Sequence, residues 1–212
     1  MSSTWIAPHG VSVPSARTFG RLFFAGYCAL MAWEIWARTI TAWVVGGPLE
    51  PPGLIISLVQ HWTGYVLPLS TTTFLHYMVG IFGYPLAYFI ISRHLKRWSL
   101  ILDALVWVIF TLFLAYGLFR GSDTTSMGVF WVVVTLITAT RFVNPSHKIA
   151  ESLSWGSFTW FNALGIMAPL AGLPFLLLEW GGALSFMSYV GHILFGFIIA
   201  YLFETWEKQA EA

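Results

Sequence analysis

Long apolar runs nearly free of Asp, Glu, Lys and Arg alternate with short polar breaks along this chain. The first run is Leu22–Gly46. A helix rises about 1.5 Å per residue, so a run of this length crosses a hydrocarbon layer of about 30 Å. An uncharged stretch of 42 residues follows, from Pro51 to Ser92, which is too long for one crossing. Pro51, Pro52 and Gly53 open it, and Pro68 divides it. Within Leu54–Val66, Ile55, Leu58, Val59, Trp62 and Val66 fall on one helical face and Ser57, Gln60 and His61 on the other. This pattern predicts a short interfacial or re-entrant helix.

Thr72–Ser92 reads as the second span, with a kink at Pro85. Leu100–Phe119 is the third, with Asp103 near its first turn, where a carboxylate suits the helix N-terminus. Met127–Val143 is the fourth, with Arg141 in its last turn. Gly156–Leu178 is the fifth; it contains Asn162 and is interrupted by Pro169 and Pro174. Ala183–Phe203 is the sixth. The expected fold class is all-α: a polytopic transmembrane helical bundle of six spans plus one short interfacial helix. A tail over 1–21, a six-span domain over 22–206 and a second tail over 207–212 complete the expected organisation.

Composition narrows the class. Of 212 residues, 58% are hydrophobic and 9% charged, and the mean hydropathy is +0.75. A soluble domain carries about 25% charged residues, so a water-soluble core is excluded. The net charge of +1 gives no case for nucleic acid. Cys28 is the single cysteine, so neither an intrachain disulfide nor a cysteine metal cage is expected. The polar N-terminal tail lacks an apolar segment followed by a small-residue cleavage site, and no signal peptide is expected.

Lys and Arg are distributed asymmetrically. Arg17, Arg21, Arg93, Lys96, Arg97, Arg141, Lys148 and Lys208 fall on the side of the termini, against Arg38 and Arg120 on the other. Both termini are therefore expected in the cytoplasm, in a bacterial inner membrane. Trp43, Trp62, Trp98, Trp155, Trp180 and Trp206 lie near run ends, as interface belts require.

Three features carry candidate chemistry. Glu34 and Arg38 lie four residues apart inside the first run, the favourable order for a helical ion pair. They fit a proton or ion relay, or an internal pair with Arg38 snorkelling outward. Asn162 is a further polar group for a cavity. His76 and His192 lie at similar depth on helices of the same direction. They could clamp the iron of haem b, or one could ligate the magnesium of a (bacterio)chlorophyll. Alternatively each imidazole bonds a neighbouring helix, and Gly80 and Gly196 are small-residue packing positions. The 12 Trp and 18 Phe could flank pigments, quinones or lipid tails, or serve as belt and packing material. His9, His94 and His147 lack metal-ligand spacing, and no catalytic metal ion or enzyme motif is apparent.

His76-Tyr-Met-Val-Gly80 matches His192-Ile-Leu-Phe-Gly196, and both continue into aromatic and small residues. This suggests a parallel internal repeat of a helix pair. On these His-xxx-Gly helices, followed by small residues and tyrosine, the chain resembles the small bacterial inner-membrane proteins typified by YagU. The resemblance implies a membrane location. Loops this short leave little aqueous surface, so the expected role is non-enzymatic and lateral. That role is an accessory or assembly subunit of a larger respiratory or photosynthetic complex, touching lipids and other transmembrane subunits or a second copy. A haem- or pigment-binding protein using His76 and His192, and a small solute or proton transporter using Glu34 and Arg38, are the alternatives.

Overall fold

The computed structural model of the protein describes residues 15–94, 96–119, 125–144 and 147–211. Among these residues the fold is all helical, without a strand. Helix α1 runs Ala16–Ile35, widens into a π segment at Trp36–Ile40 and ends with Thr41–Val45. The Ser15 side chain caps its N-terminus, and Gly46, at φ 81°, ends it in the left-handed region open to glycine. Most of the expected N-terminal tail lies outside the described residues; from Ala16 onward it is already helix.

The short expected helix forms as α2, Pro51–Thr63, started by proline at its first positions and stopped at Gly64, φ 73°. Helix α3 runs Leu69–Met78, a π segment Val79–Gly83, then Tyr84–His94. Helix α4 is Lys96–Phe119. Helix α5 is Thr125–Ala139 with a closing 3-10 turn at Thr140–Phe142. Helix α6 is Lys148–Trp160, a π segment Phe161–Met167 and a last turn Ala168–Leu170. Helix α7 is Gly182–Glu211.

Two of these helices, Leu69–Arg93 and Gly182–Lys208, are long and apolar enough to cross a membrane; Asp103–Gly117 and Met127–Phe142 are shorter apolar helices.

The fifth run differs from expectation at both ends. It begins at Lys148 rather than Gly156, because its serines are satisfied inside the helix: Ser152 and Ser157 donate to the carbonyls of Lys148 and Leu153. It stops at Leu170 rather than Leu178. Pro169 and Gly172 turn the chain, and Leu176 and Leu177 then adopt left-handed backbone in a 3-10 segment, Phe175–Trp180. Pro85 does not break α3; the π segment just before it widens the helix. A proline at 85 cannot donate to the Ile81 carbonyl and would crowd it. That carbonyl turns instead to Gly26 of α1, where a Cβ would sit only 2.5 Å away. Pro169 follows the π segment of α6 in the same way.

Helix α7, rather than α1, is the most surrounded, packing against α1, α5 and α6. Its closest crossing is with α6, where Gly196 meets Gly156 backbone on backbone. Gly80 likewise lies on Leu30 of α1. Both glycines of the His-xxx-Gly pattern are thus close-packing positions. One apolar core joins α1, α3 and α7 around Ala29, Tyr88, Ile199 and Phe203. A second joins α4 to α7 around Phe110, Trp131, Trp160 and Tyr189.

One end of the bundle gathers charge. Arg21 bonds Glu207 at 2.6 Å, and Arg93 lies 3.0 Å from Glu204. Arg141 pairs with Asp103, and both reach Ser154. Asp103, expected near a first turn, lies about two turns into α4 because that helix begins at Lys96; it is 7% exposed and Arg141 only 1%. Of the expected belt tryptophans, Trp43, Trp62 and Trp180 are exposed, but Trp155 is buried among Tyr84, Tyr88 and Phe158. The side chain of Trp98 lies outside the described residues.

At the other end, α2 is strapped across the bundle. Leu49 donates its N–H to the Ala37 carbonyl within the π segment of α1, and Trp62 Nε1 donates to the Leu170 carbonyl at 2.7 Å. Trp62→Phe removes the second tie while keeping an aromatic ring. Hydrogen exchange of the α2 amides is expected to rise about threefold to tenfold, the loss of one modest hydrogen bond, with exchange in α7 unchanged.

Candidate functional site

A cavity of about 320 Å³ lies in the seam between the two cores. Leu30 and Trp33 of α1, Val79, Gly80 and Ala87 of α3, Ala163 and Met167 of α6, and Phe195 of α7 supply most of its wall, which is apolar. Pro51, Leu54 and Ile55 of α2 form its roof. The polar groups are few: His76, His192, Tyr84 and Asn162. The π segments of α3 and α6 run along it, and that of α1 begins three residues after Trp33. Such segments widen a helix and redirect side chains, and they recur at functional sites.

The sequence candidates come together here. Glu34 is buried, at 8% exposure, and bonds Arg38 Nε at 2.5 Å, the expected pair. Its other carboxylate oxygen accepts from His76 Nε2 at 2.8 Å. Spacing along the chain could not show this second contact, because 42 residues separate the partners. His76 therefore stands between Glu34 and the cavity. His192 donates from Nδ1 to the Ser188 carbonyl, 2.8 Å away and one turn back on α7. The ring of Trp33 touches both imidazoles, 5.7 Å from His76 and 5.8 Å from His192. Asn162 donates from Nδ2 to the Tyr84 hydroxyl at 3.0 Å, bridging α6 and α3 at the other end of the cavity. In the sequence Tyr84 stood only among the aromatic residues that follow the His-xxx-Gly pattern; its place two turns beyond His76 on one helix is the signal that singles it out.

An axial clamp on a haem iron needs two imidazoles with ligating nitrogens turned to one plane. His76 has committed Nε2 to Glu34, so the arrangement does not favour that clamp. His192 retains Nε2, which has no hydrogen-bond partner among the described residues. No group of three or more His, Cys, Asp or Glu that could hold a metal ion occurs among the described residues.

A second, wider hollow of about 590 Å³ adjoins the cavity at the α2 end, sharing Trp33, Pro51 and Leu54 and adding Glu50, Ser57 and Ser188. The cavity is partly open, and its lining residue Val79 is 46% exposed. Helix α3 packs on α1 and α2, and α6 packs on α5 and α7.

No protein-family model matches the chain, and no curated protein or solved structure matches it either.

Proposed function

We propose that this chain is an integral membrane protein of six spans, with both termini in the cytoplasm, that holds an apolar ligand from the lipid phase between α1, α3, α6 and α7. The observation that carries this reading is the convergence of His76, His192, Tyr84 and Asn162 on one largely apolar, partly open cavity. A concave apolar space with a few placed polar groups is the usual form of a small-molecule site. The six-span arrangement is supported by the length of α1, α3 and α7 and by the apolar faces of α4 and α5. Arg21, Arg93 and Arg141 gather at the end bearing the termini, which supports the orientation.

The outward faces of α4 and α5, with Val108, Leu112, Val132 and Leu136 exposed, suit lateral contact with lipid or other spans. They carry no group that selects a partner, so the accessory-subunit role is the less specific reading. Transport through the Glu34–Arg38 pair is also less favoured, because that carboxylate is already held by Arg38 and His76 and does not line the cavity.

The test is extraction and mass spectrometry of the purified protein. A stoichiometric apolar compound is expected with the native chain. Ala163→Phe, which fills the cavity from α6, is expected to remove it while the melting temperature stays within a few degrees. Equal recovery from both proteins, or none from either, overturns the reading.

A further inference from the structure

The head group of the ligand can be read from the hydrogen-bond roles at the Trp33 end, given that the cavity is a ligand site. We infer that the cavity selects a ligand with a hydroxyl head on an apolar body, an aliphatic alcohol or a hydroquinone, and that His192 Nε2 accepts its O–H.

A backbone carbonyl can only accept. The 2.8 Å contact of His192 Nδ1 with the Ser188 carbonyl therefore places the proton on Nδ1. The neutral ring then presents a lone pair at Nε2. His76 is oriented by the same logic. Glu34 accepts from Arg38 with one oxygen and from His76 Nε2 with the other, so this N–H of His76 is spent on Glu34. At the Trp33 end, His192 Nε2 thus offers a lone pair.

A ketone, quinone or ether brings only lone pairs to such a site and leaves His192 Nε2 without a donor. A hydroxyl group supplies one. Sites built to hydrogen-bond a substrate group reject analogues lacking it more strongly than apolar pockets reject a change of size. From the head, the body of the ligand lies against Leu30, Val79, Ala163 and Phe195. Tyr84 and Asn162 close the space eight residues further along α3, about 12 Å by helix rise.

The test is titration calorimetry in mild detergent with two matched pairs of probes: geranylgeraniol against its methyl ether, and a decyl-substituted hydroquinone against the corresponding quinone. The hydroxyl member of at least one pair is expected to bind about tenfold more tightly than its partner, the value of one hydrogen bond. The pair showing the preference identifies the source as aliphatic alcohol or hydroquinone. His192→Leu is expected to abolish the preference, and continued binding of the capped or oxidised partner shows that the variant is folded. His192→Gln, whose amide oxygen can accept, is expected to retain part of it. Equal binding within both pairs overturns the head-group inference and leaves the ligand cavity standing. Binding of none of the four probes overturns both.

Discussion

Gly196→Leu is expected to destroy the fold. A Cβ at position 196 would lie 2.3 Å from the backbone of Gly156, and one at 156 would lie 2.6 Å from the Cα of Ile193. All of these are backbone atoms, so no side chain can rotate away and the two helices must separate. Overpacking that side chains can relieve costs about 1–3 kcal/mol. Here the loss is expected to reach about 3 kcal/mol or more, because α7 anchors both cores. The variant should lose its monodisperse peak in size-exclusion chromatography and its cooperative melt in detergent. Gly128→Ala is the contrast. Nothing lies within 4 Å of a Cβ there. Removing a helix-interior glycine is expected to be neutral or stabilising by about 0.5–1 kcal/mol. A Gly196→Leu protein that melts with the native one would contradict the packing described.

Arg141→Met is expected to be nearly as damaging, for an electrostatic reason. Arg141 is held by Asp103 and Ser154 among α4, α5 and α6, beyond the reach of bulk water. Removing the cation leaves the Asp103 carboxylate buried without its counter-charge, which costs about 3–5 kcal/mol in such settings. The double variant Asp103→Leu with Arg141→Met removes both charges. It is expected to recover most of the loss, since an apolar pair of similar volume often replaces a buried ion pair without penalty. Denaturant titration of the two single variants and the double variant measures the coupling. Additive losses in the double variant would show that the pair does not act as a unit.

These two sites mark the boundary of what could be read from the chain. Helix positions were legible wherever a local rule decides them. Pro51 and Gly64 bound α2 close to the expected limits, and Gly46 ends α1 where the apolar run ends. The start of α6 was hidden because a rule based on charge-free runs stops at Glu151, whereas serines there bond their own helix. The Glu34–Arg38 pair was legible because four residues make one turn. The contacts Glu34–His76, Asp103–Arg141 and Tyr84–Asn162 were not, because each joins residues that only packing brings together. The π segments of α3 and α6 left a trace in Pro85 and Pro169, read as a kink and a break rather than as widened turns. The π segment of α1 left none.

The cavity follows from these details. Widened turns in α3 and α6 border it, Gly80 brings α3 close to α1, and the Gly156–Gly196 crossing holds α6 and α7 together. The Tyr84–Asn162 bond then spans the gap. A crystal structure grown from a lipid mesophase tests the central claim most directly. Elongated non-protein density between Trp33 and Tyr84, ending within hydrogen-bonding distance of His192 Nε2, is the expected result. A file of ordered waters through the same space, or side chains collapsed into it, would contradict it.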